Sequence, residues 1–342
     1  MTRRGSWRGP LALSAALAWT ACAGGRALAW EDYGHRTIGT LAVQALPEEV
    51  PAFLRAPDAA ADIGELAREP DRSKNAGKVH DGARDPGHFL DLDDQGRVLG
   101  GPPLAQLPPT RQAYEEALQR IQTDSYHAGY LPYAIVDGWQ QLAKDFGYWR
   151  ADVAGERLEP DPARRAWIVA DRQRRERQTQ IDLGLFAHYV GDGSQPLHLS
   201  VHYNGWGPGP NPRGFTVQKV HAPFEGAFVH ANVTPADVAS GMAPFQVCGC
   251  PIEARTARYL QKTYAQVVPF YELEKAGGFT DGDPRGRAFA AARLAAAASE
   301  LRDMVVEAWR ASAYGTIGFP PTPVRDVEAG RAPAYDLLYG AN

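Results

Sequence analysis

The chain has 342 residues, with 36 Lys and Arg against 40 Asp and Glu and a formal net charge of −4. That length favours one large domain or two small ones, with ample chain for a buried core. The acidic balance excludes attraction of a polyanion by the overall field, so a phosphate-bearing substrate would have to be drawn by something local.

The first residues carry Arg3, Arg4 and Arg8, then an apolar run from Leu11 to about Ala23, then Ala27-Leu28-Ala29. This is the layout of a cleaved secretory signal over residues 1–29, and it predicts a secreted or periplasmic protein that begins at Trp30. Lipoprotein cleavage at Cys22 is the alternative, disfavoured by Trp19 and Thr20, and a twin-arginine signal fits Arg3-Arg4 loosely. Residues 1–29 hold four basic and no acidic residues, which leaves 32 basic against 40 acidic residues and a charge of −8. No later run is long and apolar enough to span a bilayer.

From Asp32 to Leu46, Ile38, Leu41, Ala42 and Ala45 recur at helical spacing, and Pro47 stops the run. His35 falls on the inward face, where a lone histidine is more often core than ligand. Here it follows the expected new terminus by five residues. A free amine and the carbonyl of Trp30 can therefore chelate a metal together with it.

Residues 71–101 read as a loop rich in Gly, Pro and Asp, and contain Asp71-x-x-Lys74 and Gly87-His88-Phe89-Leu90-Asp91-Leu92-Asp93. The apolar neighbours of His88 suggest a partly buried position. Helices are expected over 108–125, opened by Pro108-Pro109-Thr110, over 132–150, and over 162–191. The last carries Arg164, Arg165, Arg172, Arg174, Arg175 and Arg177, but Asp171 and Glu176 interrupt the row and arginines recur on every face. It reads as a solvated helix surface rather than a nucleic-acid stripe.

The 162–191 run ends in His188-Tyr-Val-Gly-Asp192-Gly-Ser-Gln-Pro-Leu-His198. His188 and Asp192 are four apart and project from one helix face, so they can share one metal. His198 lies just past Pro196, where the chain turns back. After a long irregular loop over 199–219, His221-Ala-Pro-Phe-Glu225 repeats the four-residue spacing. Imidazole and carboxylate in such a set suit zinc best.

A capped short helix opens at Thr234-Pro235. Cys248-Gly249-Cys250 is either a small strained disulfide or a pair of free thiols, and carries no zinc motif. Two long helices follow, over 251–275 and 284–313, and a proline-rich tail starts at Pro320. With no convincing strand, the fold class is all-α: a single mostly helical domain over 30–319, with long irregular loops, followed by the 320–342 tail.

Together, Trp30 after Ala-x-Ala, Gly34-His35, Asp71-x-x-Lys74, Gly87-His88-Phe-Leu-Asp-Leu-Asp, His188-Tyr-Val-Gly-Asp192, Gln195-Pro-Leu-His198 and His221-x-x-x-Glu225 resemble the superfamily joining bacterial zinc-dependent phospholipase C to the secreted single-strand-specific nucleases. The resemblance implies an all-α fold around a trinuclear zinc site. It implies one zinc on Asp71, His88, His188 and Asp192. A second would take the Trp30 amine and carbonyl, His35 and Asp192, whose carboxylate bridges the pair. A third would take His198, His221 and Glu225. Lys74 and Asp93 match phosphate-side groups, and with Asp192 they are the expected catalytic residues.

Several departures and rivals stand beside that assignment. Gly193-Ser194 replaces the x-His that many relatives carry before Gln-Pro-Leu-His. Glu225 is the phospholipase choice where nucleases commonly carry Asp. Asp62 and Asp81 compete with Asp71, and His202 with His198. The expected activity is zinc-dependent hydrolysis of phosphate esters by direct attack of water, as a nuclease on single-stranded nucleic acid or a phospholipase C on phospholipid. The first is preferred because Tyr203, Trp206 and Phe215 in the long loop suit a stacking wall. No Gly-x-Ser-x-Gly accompanies the histidines, so no serine nucleophile is expected. A non-catalytic zinc-binding relative is the competing class. No stable protein partner is evident, and a monomer is expected.

Overall fold

The protein is all-α. The computed structural model describes residues 30–207 and 209–340, and within them the strands are confined to the pair Thr316–Ile317 and Thr322–Pro323. Seven helices organise the domain: α1 (Glu31–Gln44), α2 (Pro57–Leu66), α3 (Leu131–Leu158), α4 (Pro162–Asp192), α5 (Ile252–Tyr264), α6 (Val267–Lys275) and α7 (Pro284–Ser312). The expected signal segment lies outside the described residues. No helix among them is long and apolar enough to cross a membrane.

α3 and α4 form the central hairpin. α4 starts where the sequence predicts, with the Asp161 carboxylate accepting from the Arg164 N–H at 2.8 Å and Pro162 in its first turn. α3 continues past Arg150 because buried Ala151, Ala154 and Gly155 prolong its inner face. α7 lies across both and across α1. Its buried alanines, 290, 291, 295, 297 and 298, keep the helix axes close, and Leu294, Leu301 and Met304 fill the space between. Each such large apolar side chain stabilises the fold by about 1.5–3 kcal/mol relative to exposure. Against that frame, α1 can only sit where Ile38, Ala42 and Val43 are buried, and the same face carries His35.

Four expectations about local structure are corrected. The 71–101 stretch contains the helices Glu69–Arg72 and Lys78–Arg84 and a 3-10 turn, Asp85–His88. Lys78–Arg84 buries no residue, so no apolar period announces it. The helix expected over 108–125 ends at Gln119, and a second short helix, Ser125–Ala128, starts on the Asp124 cap. The 251–275 run is two helices broken at Ala265-Gln266. The 320–339 segment is folded rather than a tail. Val324 and Val327 pack fully buried with Ala151, Ala154 and Ile317 in a small second core, and Arg150 pairs with Glu328 at 3.1 Å.

Cys248 and Cys250 form a disulfide, and the Arg258 guanidinium lies against both sulfurs. The arginines of α4 are largely neutralised: Arg172 by Glu156 and Glu176, Arg174 by Asp171, and Arg175 by Asp145.

Candidate metal centre

α4 ends in the site. His188 and Asp192 are fully buried, one turn apart, and face α1. α1 approaches closely at Gly191, where a β-carbon would lie 2.9 Å from the His35 Nδ1, so a larger residue would push His35 away. The Glu69–Arg72 helix brings Asp71 in from one side and the Asp85–His88 turn brings His88. On the other side, the 3-10 turn Pro196–Leu199 carries His198. His221 and Glu225 flank the start of a π-helical turn, Pro223–Phe228, with His221 Nε2 at 3.0 Å from Glu225 Oε2. Such turns recur at functional sites.

The Asp192 carboxylate is the hub. Its Oδ2 lies 3.0 Å from His88 Nδ1 and 3.3 Å from His188 Nε2. Its Oδ1 lies 3.4 Å from His35 Nε2 and 3.8 Å from His198 Nδ1. Three donor sets result, each with its ligand atoms within 4.8 Å of one another: His35, His188 and Asp192; Asp71, His88 and His188; and His198, His221 and Glu225. These buried clusters could hold metal ions.

The hydrogen bonds around the rings fit that role. His188 Nδ1 sits 2.8 Å from the Ala67 carbonyl, His198 Nδ1 2.6 Å from the His88 carbonyl, and His221 Nδ1 2.9 Å from the Tyr203 carbonyl. Each Nδ1–H is thus fixed on a backbone oxygen and each Nε2 lone pair is left facing the cluster, the usual support of a metal-bound histidine. The Nε2 atoms of His198 and His221 then face each other at 3.1 Å. Two lone pairs at that distance repel unless a proton or a cation lies between them. Gln195 donates to Glu225 Oε1 at 2.6 Å and aims its carboxylate. Both nitrogens of His35 and Asp192 Oδ1 are buried without a hydrogen-bond partner, a costly arrangement that a cation would relieve.

The electrostatics say the same. Burial and His188 lower His35, and burial and Lys74 pull His88 down to about 4, so both rings are neutral donors. Burial would raise Asp192 and lower His198, yet the facing charges win. His188 and His198 hold Asp192 well below its ordinary range, and Asp192 and Glu225 push His198 up to about 9. Glu225 falls to about 2 against burial, through His221 and His198. The pocket demands positive charge.

No family model and no curated protein matches this chain.

The expected ligands His35, Asp71, His88, His188, Asp192, His198, His221 and Glu225 do meet. Lys74 joins them, its ammonium 2.6 Å from Asp71 Oδ1. Trp30 is buried beside them, its indole donating to the Gly191 carbonyl at 2.9 Å, while its own carbonyl accepts the Gly34 N–H at 3.0 Å. Cleavage before Trp30 concerns residues that lie outside the described ones. The rivals fall away: Asp62 lines a surface groove with Glu65, and Asp81 accepts the Ala76 N–H at 3.1 Å. His202 is buried elsewhere, 2.9 Å from Asp94 and stacked on Trp206 at 3.8 Å.

Two expectations are corrected. Asp93 is a turn residue, its Oδ1 accepting the N–H groups of Gln95 and Arg97 at 2.9 and 3.0 Å. The acid of this stretch that couples to the site is Asp91, pushed up to about 7 by burial while His198 opposes. Trp206 and Phe215 are not a free stacking wall, because they pack on each other at 4.8 Å and on Tyr271. Tyr203 alone of the three is open, half exposed. Asp91 and Gln195 both lie inside the sequence motifs, but nothing in their spacing distinguishes them from their neighbours.

Proposed function

We propose that the protein is a zinc-dependent phosphodiesterase acting on single-stranded nucleic acid. The observation that carries the metal-dependent chemistry of this reading is the Asp192 carboxylate, with two imidazoles at each oxygen and a third donor set, His198, His221 and Glu225, adjoining it. A chain that needed one structural cation would close one tetrahedral set. Paired and bridged sets are the arrangement used to hold cations on opposite sides of one reacting phosphate.

The residues present suit zinc: imidazole nitrogens with carboxylates, with His188, His198 and His221 each fixed by a backbone carbonyl. Asp71, His88, His188 and Asp192 would hold one ion, His35 and Asp192 with the Trp30 terminus a second, and His198, His221 and Glu225 a third. Zinc bound there supplies Lewis acidity toward phosphate oxygens and lowers the pKa of water to about 7.

The chain's own residues do the positioning. Asp192 and Gln195 fix the relative placement of the three sets, the latter through Glu225. The Lys74 ammonium, nine-tenths buried, adds a cation where a phosphate would approach Asp71. Tyr189 packs against His88 and His188, with its ring centroid 5.5 Å from each.

Purified zinc-loaded protein offered single-stranded DNA, RNA, a phosphatidylcholine emulsion and a chromogenic phosphodiester, with chelator controls, tests the reading. Chelator-sensitive cleavage of nucleic acid is expected. Cleavage of lipid alone would keep the chemistry and replace the substrate. Full zinc occupancy with no hydrolysis of any of the four would overturn the enzyme.

A further inference from the structure

A groove of about 770 Å³ lies beside the candidate metal centre, and its inner end is lined by residues that pack on the centre's ligands or adjoin them in the chain. Tyr189 lines it while touching the rings of His88 and His188. Pro70 and Ser73, which flank the Asp71 segment, line the same end. Tyr130 forms the next part of the wall. Its ring presses on Gly87, where a β-carbon would come within 3.1 Å of the ring, so the wall is one residue from His88. Its hydroxyl is tied down on the Ala83 carbonyl.

Two exposed arginines meet at that tyrosine. The Arg111 guanidinium lies over the ring at 3.7 Å from its centroid, and Arg84, also lining the groove, acts electrostatically on the same phenol. A guanidinium stacked on a ring keeps its N–H donors in its own plane, free for a phosphate at the edge. The groove also carries Asp137, Asp182 and Glu253, and Asp137 acts on the same Tyr130 phenol as the two arginines.

Resting on the phosphodiesterase reading, we propose that this groove holds a second phosphate, adjacent to the scissile one, in a single-stranded oligonucleotide, with Arg84 and Arg111 as its ligands. A phospholipid such as phosphatidylcholine brings one phosphate and two acyl chains, and would need a contiguous apolar face at this mouth. The helix carrying Arg84 offers only Val79 as an exposed large apolar side chain.

The test compares zinc-loaded wild type with the Arg84→Gln, Arg111→Gln double variant and, as control, Arg177→Gln, whose residue lines a different surface groove. Substrates are dithymidine monophosphate, with one phosphodiester, and tetrathymidylate. Wild type is expected to prefer the longer substrate in kcat/KM by about tenfold, the worth of roughly one charged hydrogen bond. The double variant should lose that preference mainly through KM, and the control should keep it. Binding of a phosphorothioate oligothymidylate gives a readout independent of turnover. Its logarithmic salt dependence should become shallower by about 0.7 for each phosphate that the variant no longer neutralises. A chain-length preference or salt slope that survives in the double variant would overturn the groove while leaving the phosphodiesterase reading in place. Lipid cleavage that needs these arginines, with no oligonucleotide bound, would also overturn it. Arginine-dependent binding with no cleavage of any phosphodiester would support the groove and sink the phosphodiesterase reading instead.

Discussion

His198 and His221 point their Nε2 atoms at each other across 3.1 Å, while the Nδ1 of each is held on a backbone carbonyl. Neither ring can turn away without breaking that anchor. With Glu225 Oε2 3.0 Å from His221, the three groups form a closed set that shares no ligand with its neighbours. His221→Ala should therefore lower bound metal by about one equivalent and leave the other two in place. Metal analysis of the purified variant checks this, and loss of all metal would mean that the sets are not separable.

His202 is the histidine that spacing offers in place of His198. It is buried, stacked on Trp206 and bonded to Asp94 and the Gly207 carbonyl. His202→Ala should cost stability on the order of 2–3 kcal/mol, from the cavity and the unpaired groups left behind. Metal content should be unchanged. Thermal unfolding together with metal analysis separates the two effects, and a missing metal equivalent would make His202 a ligand.

Asp152, on α3 facing α4, is fully buried with neither carboxylate oxygen hydrogen-bonded. Burial, reinforced by Asp171, pushes it up to about 8 from 3.8. The folded state thus keeps a proton that the unfolded state releases near pH 4. Stability from this group is fully present below that pH and is lost as pH rises toward about 8. Asp152→Asn cannot ionise, so the variant should melt a few degrees above wild type near pH 8, with the gap closing toward about pH 5. A variant that melts lower than wild type near pH 8 would contradict the buried neutral carboxyl.

Much of the site is legible in the sequence because its ligands lie on regular spacing. His188 and Asp192 sit one turn apart on a strongly periodic helix, and His35 shares the face of Ile38. The backbone carbonyls of Ala67, His88 and Tyr203 that orient the rings leave no mark in a sequence, since every residue has one. Asp91 and Asp93 are two apart in an extended stretch, so parity cannot tell them apart. Only the 93–97 turn removes the second from the site. The Lys78–Arg84 helix escapes a reading by periodicity because it has no buried face. The 320–339 segment escapes it because its prolines read as a linker, whereas Val324 and Val327 are inserted beneath them against α3.

The most direct test of the metal centre is the Asp192→Asn variant, with metal content and hydrolysis of a chromogenic phosphodiester measured on the same folded sample. Asparagine keeps the shape but removes the charge that faces His35, His88, His188 and His198. Loss of more than one equivalent of metal is predicted, because two of the proposed ions take this carboxylate, together with a fall in activity of at least about tenfold, the low end of what losing even a supporting partner of a metal ligand costs. Three metal equivalents and full activity in a folded Asp192→Asn protein would contradict a centre built on that carboxylate.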